Sequence, residues 1–231
     1  MNIIELTDLQ YRWPKQANLT LNISTFSVTQ QEKVFIKGPS GSGKSTLLSL
    51  LTGIVTPSSG QIKLLQQDLT TLSSNQRDKF RANHIGYIFQ QFNLLPYLSV
   101  IDNVLLPCHF SSQRKQKAGS DLPQEAKRLL TQLHLPASCL DRPVTELSIG
   151  QQQRVAAARA LIGKPDLLIA DEPTSALDHD NRTAFIELLM QECHAANISL
   201  VFVSHDPTLE PLFDRGVDLA KINMAEGEWQ C

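Results

Sequence analysis

Lys33-Val34-Phe35-Ile36-Lys37 runs straight into Gly38-Pro39-Ser40-Gly41-Ser42-Gly43-Lys44-Ser45, and Ser45 to Leu51 follows at once with helical character. This junction constrains the fold more than any other stretch of the chain. The loop fits G-x-x-x-x-G-K-S, in which glycines let the backbone curl until successive N–H groups point at phosphate oxygens. The helix behind it adds the positive end of its dipole. Lys44 is a compact cation suited to β- and γ-phosphates, and the Ser45 hydroxyl can ligate Mg²⁺. A plain glycine-rich turn is the alternative, and the flanking strand and helix weigh against it. Residues 38–45 therefore predict a site for a magnesium-bound nucleoside triphosphate.

The remaining bulk properties narrow the field. At 231 residues, the chain can build one large core, or a core with a smaller lobe attached. A formal charge of −2 lacks the basic excess of a polyanion binder, so no nucleic-acid partner is expected. Apolar runs are short and interrupted, far below the roughly 18 residues of a membrane span, so a membrane role must come through a partner. Met1-Asn2-Ile3-Ile4-Glu5 has neither a basic start nor a cleavage site of a secretory signal. Cys108, Cys139, Cys193 and Cys231 are not spaced as metal or redox pairs and read as buried or incidental thiols in a reducing cytoplasm.

Along the chain, Leu19 to Ser24 alternates as a half-buried strand does, and Ile3 to Tyr11 does so more roughly. Antiparallel strands are expected at the N-terminus. The region from 91 to 163 is different. Ala126, Leu129, Leu130 and Leu133 fall on one helical face, with Pro123 at a first-turn position. This region reads as a helical lobe, and Ser111 to Ser120, with Arg114, Lys115 and Lys117, as a solvated loop. Leu167 to Ala170 and Ser199 to Val203 are unbroken runs suited to strands buried on both faces of a parallel sheet. They end at Asp171 and Ser204. Ligands in open α/β sheets bind beyond such strand ends, so Gly38, Asp171 and Ser204 are candidates for one site.

Asp171 can hold Mg²⁺, usually through water, and Glu172 can polarise an attacking water as general base. Alone, the pair could equally be a solvated acidic strand end; beside a phosphate loop that reading weakens. Ser148-Ile149-Gly150-Gln151 forms a capping box that opens a helix running to Ile162, with Gly163 as its stop. The same helix start can also receive a phosphate. His205, at a strand end, is either structural or catalytic. Gln90, after the strand Ile85 to Phe89, either touches Mg²⁺ or water or is a surface amide. Tyr11 either stacks on a base or packs.

Taken together these residues resemble the ATP-binding subunits of ABC transporters, from Tyr11 to His205. Gly38 to Thr46 resembles Walker A, and Gln90 the Q-loop glutamine. Leu147 to Gln151 resembles the LSGGQ signature, with Ile149 in place of its first glycine. Leu167 to Asp171 resembles Walker B, Ser175 to Asp178 the D-loop, and His205 the switch histidine. Ile85 to Pro96 with Asn103-Val104 is similar to the macrolide-export and lipoprotein-release branch, with bacterial cell-division ATPases as near relatives.

The resemblance implies an α/β fold: a P-loop NTPase core with a mostly parallel sheet, an N-terminal antiparallel β subdomain and a helical lobe. It implies one ABC ATPase domain over 1–231, with a core at about 1–90 and 164–231 and a lobe at about 91–163. ATP and Mg²⁺ are the implied ligands. Tyr11, Gly38, Pro39, Ser40, Gly41, Ser42, Gly43, Lys44, Ser45 and Thr46 would bind the nucleotide. Ser45, Gln90 and Asp171 would serve the metal. Glu172, His205, Lys44 and Gln90 would carry catalysis, and Ser148, Gly150 and Gln151 would meet the nucleotide of a second chain, with Asp178 in the D-loop. The implied assembly is a homodimer or paired ABC subunit, joined to a transmembrane permease and peripheral on the inner face of the cell membrane. A non-transport ATPase regulating an envelope or cell-division complex is the alternative.

Overall fold

A computed structural model describes residues 1–174 and 179–225, apart from the side chains of 179–181. In chain order, strands β1 (Asn2–Tyr11), β2 (Leu21–Thr29) and β3 (Lys33–Lys37) precede helix α1 (Lys44–Leu51). Strands β4 (Ser59–Leu64) and β5 (Gln67–Asp68), helix α2 (Ser74–His84) and strand β6 (Ile85–Ile88) follow. Helices α3 (Val100–Phe110), α4 (Ser112–Ala118), α5 (Leu122–Gln132) and α6 (Ile149–Leu161) lead to strand β7 (Leu167–Asp171). Helix α7 (His179–Ala195), strands β8 (Ser199–Val203) and β9 (Arg215–Asp218) and helix α8 (Leu219–Ile222) complete the described chain. Among the described residues the strands form a four-stranded sheet of order β2-β1-β4-β5 and a five-stranded sheet of order β6-β7-β8-β3-β9. The expected α/β class with an antiparallel N-terminal sheet is thus observed. Contacts divide the chain into two compact units, Met1–Arg81 with Val201–Cys231, and Ala82–Leu200, so α2 and β8 each belong partly to both.

In the first unit, β1 pairs antiparallel with both β2 and β4, aligning Leu6 with Phe26 on one side and Ile62 on the other. The alternation legible in the sequence buries Leu21 and Ile23, and the buried positions then change phase to Phe26 and Val28. The β1–β4 register slips between Thr7 and Gln10, where Asp8 adopts a positive φ of 47°. Strand β3 pairs parallel with β9, and its Val34, Phe35 and Ile36 are fully buried. Phe35, Phe202 and Phe213 pack ring to ring at 5.0 to 6.2 Å. This packing fixes the strand from which the glycine loop emerges.

In the second unit, β6 and β7 pair in parallel and α3, α5 and α6 pack on one another. Asp121 caps α5 by accepting from Gln124 N at 3.0 Å, with Pro123 in the first turn. Gly86 is forced by close approach: a Cβ there would lie 2.3 Å from the carbonyl oxygen of Ala160 on α6.

One expectation fails here. The polar stretch 111–120 is not a solvated loop, because residues 112–118 form α4, capped by Ser111. Arg114 is only 3% exposed. Its guanidinium donates to the carbonyls of Ile162 (Nε, 2.8 Å) and Ala160 (Nη2, 2.7 Å), which α6 leaves unpaired at its C-terminal end. A cation also suits the negative end of that helix dipole. Burial alone would favour the neutral base and pushes the Arg114 pKa down to about 10. Cys108, Cys139 and Cys193 are buried, as expected; Cys231 lies outside the described residues.

Candidate nucleotide site and signature

The glycine loop belongs to the first unit. Gly43 is the N-cap of α1 at φ 96°, a conformation that favours glycine, and a Cβ there would meet Leu21 Cδ2 at 2.7 Å. The helix start has no side-chain cap and no acidic residue in its first turn. Its orphan N–H groups are therefore open to an anion. Lys44 Nζ donates to the carbonyls of Gly38 (2.7 Å) and Pro39 (3.0 Å), folding the cation back over the loop. Ser45 is exposed beside it, whereas Thr46 points into the core. Pro39, Ser40 and Gly41 are also exposed or half-exposed. Ser42 is fully buried and its Oγ makes no hydrogen bond, so it packs the loop rather than presenting a hydroxyl.

Asn223 was not singled out from the sequence, yet it ties this loop down. Its Nδ2 donates to Thr20 O (3.0 Å) and Ser42 O (3.3 Å), while its Oδ1 accepts from Asn22 N at 2.8 Å. A lone asparagine after a short helix carries no sequence signal, and only the fold brings position 223 to position 42. In the same unit, Ser204 N donates to Ile36 O at 3.2 Å, setting the β8 end beside β3. His205 follows it and is exposed. Tyr11 is 5% exposed, and its ring meets Trp13 edge-on at 5.2 Å and 86°. Of the two readings of Tyr11, this conformation supports packing.

The acidic strand end lies in the second unit. Asp171 closes β7 half-buried, and Tyr87 Oη, from the neighbouring strand β6, donates to its Oδ2 at 3.4 Å. Burial, and then the charge of Asp171, hold the Tyr87 phenol well above its ordinary pKa. Glu172 adopts a positive φ of 44°, an uncommon conformation for a non-glycine residue and one that concentrates at functional sites. Gln90 follows β6 and is exposed.

The predicted capping box also forms. Ser148 Oγ accepts from Gln151 N at 3.3 Å, and Gln151 Oε1 accepts from Ser148 N at 2.9 Å. Beside it, His134, Gly150, Gln153 and Arg154 help line a cleft of about 360 Å³. Ile149, in the first turn of α6, is 55% exposed, so its side chain leaves the cap intact.

A family model described as ABC transporter matches residues 21–175. The chain belongs to the ABC transporter family. It is an ATP-binding, ATP-hydrolysing cassette of that family. The lipoprotein-releasing system ATP-binding protein LolD of Psychrobacter arcticus is 38% identical over 204 residues, covering 88% of this chain and 86% of the relative. The macrolide export ATP-binding/permease protein MacB of Campylobacter jejuni is 39% identical over 202 residues, covering 87% of this chain. This chain spans 31% of the length of MacB. Among solved structures, a dimeric post-hydrolysis state of the ATP-binding cassette MJ0796, bound to ADP and Pi, matches with a TM-score of 0.84. That match is at 29% identity and covers 99% of this chain and all of that one.

Gly38 to Ser45 and His205 fall in one unit. Gln90, Ser148 to Gln151 and Leu167 to Glu172 fall in the other. Ser175 to Asp178, expected from the resemblance to form a D-loop, lie outside the described residues. No helix among the described residues is long and apolar enough to cross a membrane.

Proposed function

We propose that the chain drives a membrane ABC complex of the lipoprotein-release or macrolide-export kind, through an ATP-dependent dimer that closes and reopens. The open, uncapped start of α1, with Lys44 folded over the carbonyls of Gly38 and Pro39, supports this reading most directly. A triphosphate would accept from the loop N–H groups and draw Lys44 off those carbonyls onto its β- and γ-oxygens. The exposed Ser45 hydroxyl, the Asp171 carboxylate and the Gln90 amide are oxygen donors of the kind Mg²⁺ prefers. Mg²⁺ would neutralise charge building on the phosphates. Glu172 would orient and deprotonate the attacking water, and His205 would steady the γ-phosphate.

The capped start of α6 is the second half of the proposed site. Its Ser148 hydroxyl and Gly150 N–H would face the nucleotide bound to Lys44 of the opposite chain. ATP would thereby hold two chains head to tail, and hydrolysis would release them. The proposal includes a core of about 1–90 and 164–231, a helical lobe of about 91–163, and a transmembrane permease partner. That partner would hold the chain at the inner face of the cell membrane, with residues 91–96 relaying the motion.

The test is Glu172→Gln in the whole chain. ATP binding should persist within about twofold, turnover should fall by roughly a hundredfold or more, and an ATP-dependent dimer should accumulate on gel filtration. Near-normal hydrolysis would overturn the role of Glu172. Membrane proteins recovered with this trapped form would identify the partner, and recovery of no permease would count against the transporter reading.

A further inference from the structure

Between β6 and α3 the backbone departs from ordinary geometry. Phe92 and Asn93, two and three residues past Gln90, both have positive φ, at 60° and 50°. Two consecutive non-glycine residues in this region are unfavourable and persist only when their surroundings hold them. The turn is closed by Phe92 N donating to Phe89 O (2.9 Å) and Asn93 N to Gln91 O (2.6 Å). The Phe92 side chain is buried.

Their carbonyls are held from a different element. Arg159 Nη2 donates to Phe92 O, and Nη1 donates to Asn93 O at 2.7 Å. One planar guanidinium thus grips two successive carbonyls, a geometry that a flexible ammonium does not reproduce well. Arg159 lies near the end of α6, on the helix whose start bears Ser148 and Gly150. A helix rises about 1.5 Å per residue, so the grip lies on the order of 16 Å from the signature along one rigid rod. Burial lowers the Arg159 pKa, consistent with a cation satisfied by carbonyls in a partly dry setting.

We propose that Arg159 is a positioning residue for hydrolysis: it locks the backbone following Gln90 to the signature helix. Gln90 and the Ser148–Gly150 tip then move as one body. A push on residues 91–96 reaches the signature directly through α6. This inference rests on the function proposed above, because it assigns Gln90 and Ser148 to the hydrolysis cycle.

The experiment compares Arg159→Met and Arg159→Lys with the wild-type chain. Steady-state hydrolysis is measured over ATP and Mg²⁺ titrations, together with ATP binding, thermal melting and amide hydrogen exchange of residues 91–98. In Arg159→Met, ATP binding should stay within about twofold while kcat falls about tenfold or more, because small misplacements cost that much. The Mg²⁺ needed for half-maximal rate should rise severalfold, and exchange of 91–98 should quicken. Arg159→Lys should restore part of kcat by bonding one carbonyl.

Unchanged kcat with unchanged exchange would overturn the proposal. So would parallel losses of ATP binding, kcat and melting temperature with no recovery in Arg159→Lys, since that marks a purely structural side chain. If Arg159→Met does not fold, kcat and exchange in Arg159→Lys decide alone, and wild-type values for both overturn it. Glu172→Gln separates the two readings. Normal hydrolysis there removes the catalytic assignment, while faster exchange in Arg159→Met still reports the lock.

Discussion

Gly43 shows how a single position serves both the fold and the site. Its φ is 96°, and a Cβ at this position would lie 2.7 Å from Leu21 Cδ2, so any other residue would be strained and would have to displace the Leu21 side chain. Gly43→Ala is expected to cost about 1–2 kcal/mol in backbone strain and to weaken ATP binding at least tenfold. Nucleotide titration against a thermal melt checks both, and unchanged affinity would mean that the loop tolerates another path. The loop residues Gly38 to Ser45 were legible because their spacing is local, so neighbours in sequence are neighbours in space. Asn223 was not legible, because its partners are remote: it donates to Thr20 O and Ser42 O, about 200 and 180 positions away along the chain. Tyr11 was half legible. An aromatic near the loop was visible, but whether its face is open depends on Trp13, and that is a packing question.

Helix α6 is tied into the second unit at both of its ends. Its start carries the capping box and its end receives Arg114. The start was legible because a cap is written within four residues. The end was not: the charged stretch around Arg114 looks solvated until the unpaired carbonyls of Ala160 and Ile162 are placed beside it. Arg114→Met is expected to destabilise the chain by about 2–4 kcal/mol, since several buried acceptors would lose their donor. Urea unfolding measures this, and a loss below about 1 kcal/mol would show that water replaces the guanidinium. At the other end, Ser148→Ala should cost about 1 kcal/mol as a lost cap and reduce turnover more than it reduces ATP binding by the isolated chain. Equal losses in both would leave Ser148 as a helix cap and nothing more.

At the scale of the whole molecule, the proposed head-to-tail dimer makes a prediction that no single chain can satisfy. Lys44→Ala and Ser148→Ala chains should each be nearly inactive alone. Mixed, they form heterodimers in which one site pairs the intact Lys44 of one chain with the intact Ser148 of the other. Mixing should therefore restore ATP hydrolysis to roughly a quarter of the wild-type rate, half the chains pairing usefully and each such pair keeping one site. Steady-state turnover of the mixture measures this, and a mixture no more active than its parts would overturn the shared site. The dimeric state of the matched cassette MJ0796 makes this arrangement the natural one to test.

The sequence by itself determined the glycine loop before α1, the capped start of α6, the buried strands β7 and β8, and the family. Each is written in short-range spacing or in a two- or four-residue period, and short-range patterns survive without knowledge of distant neighbours. The tertiary structure decided which polar residues are structural. Arg114, Arg159 and Asn223 look like ordinary surface side chains in one dimension. Each finds main-chain carbonyls brought to it from elsewhere in the chain, and a buried acceptor must be paired wherever its donor comes from.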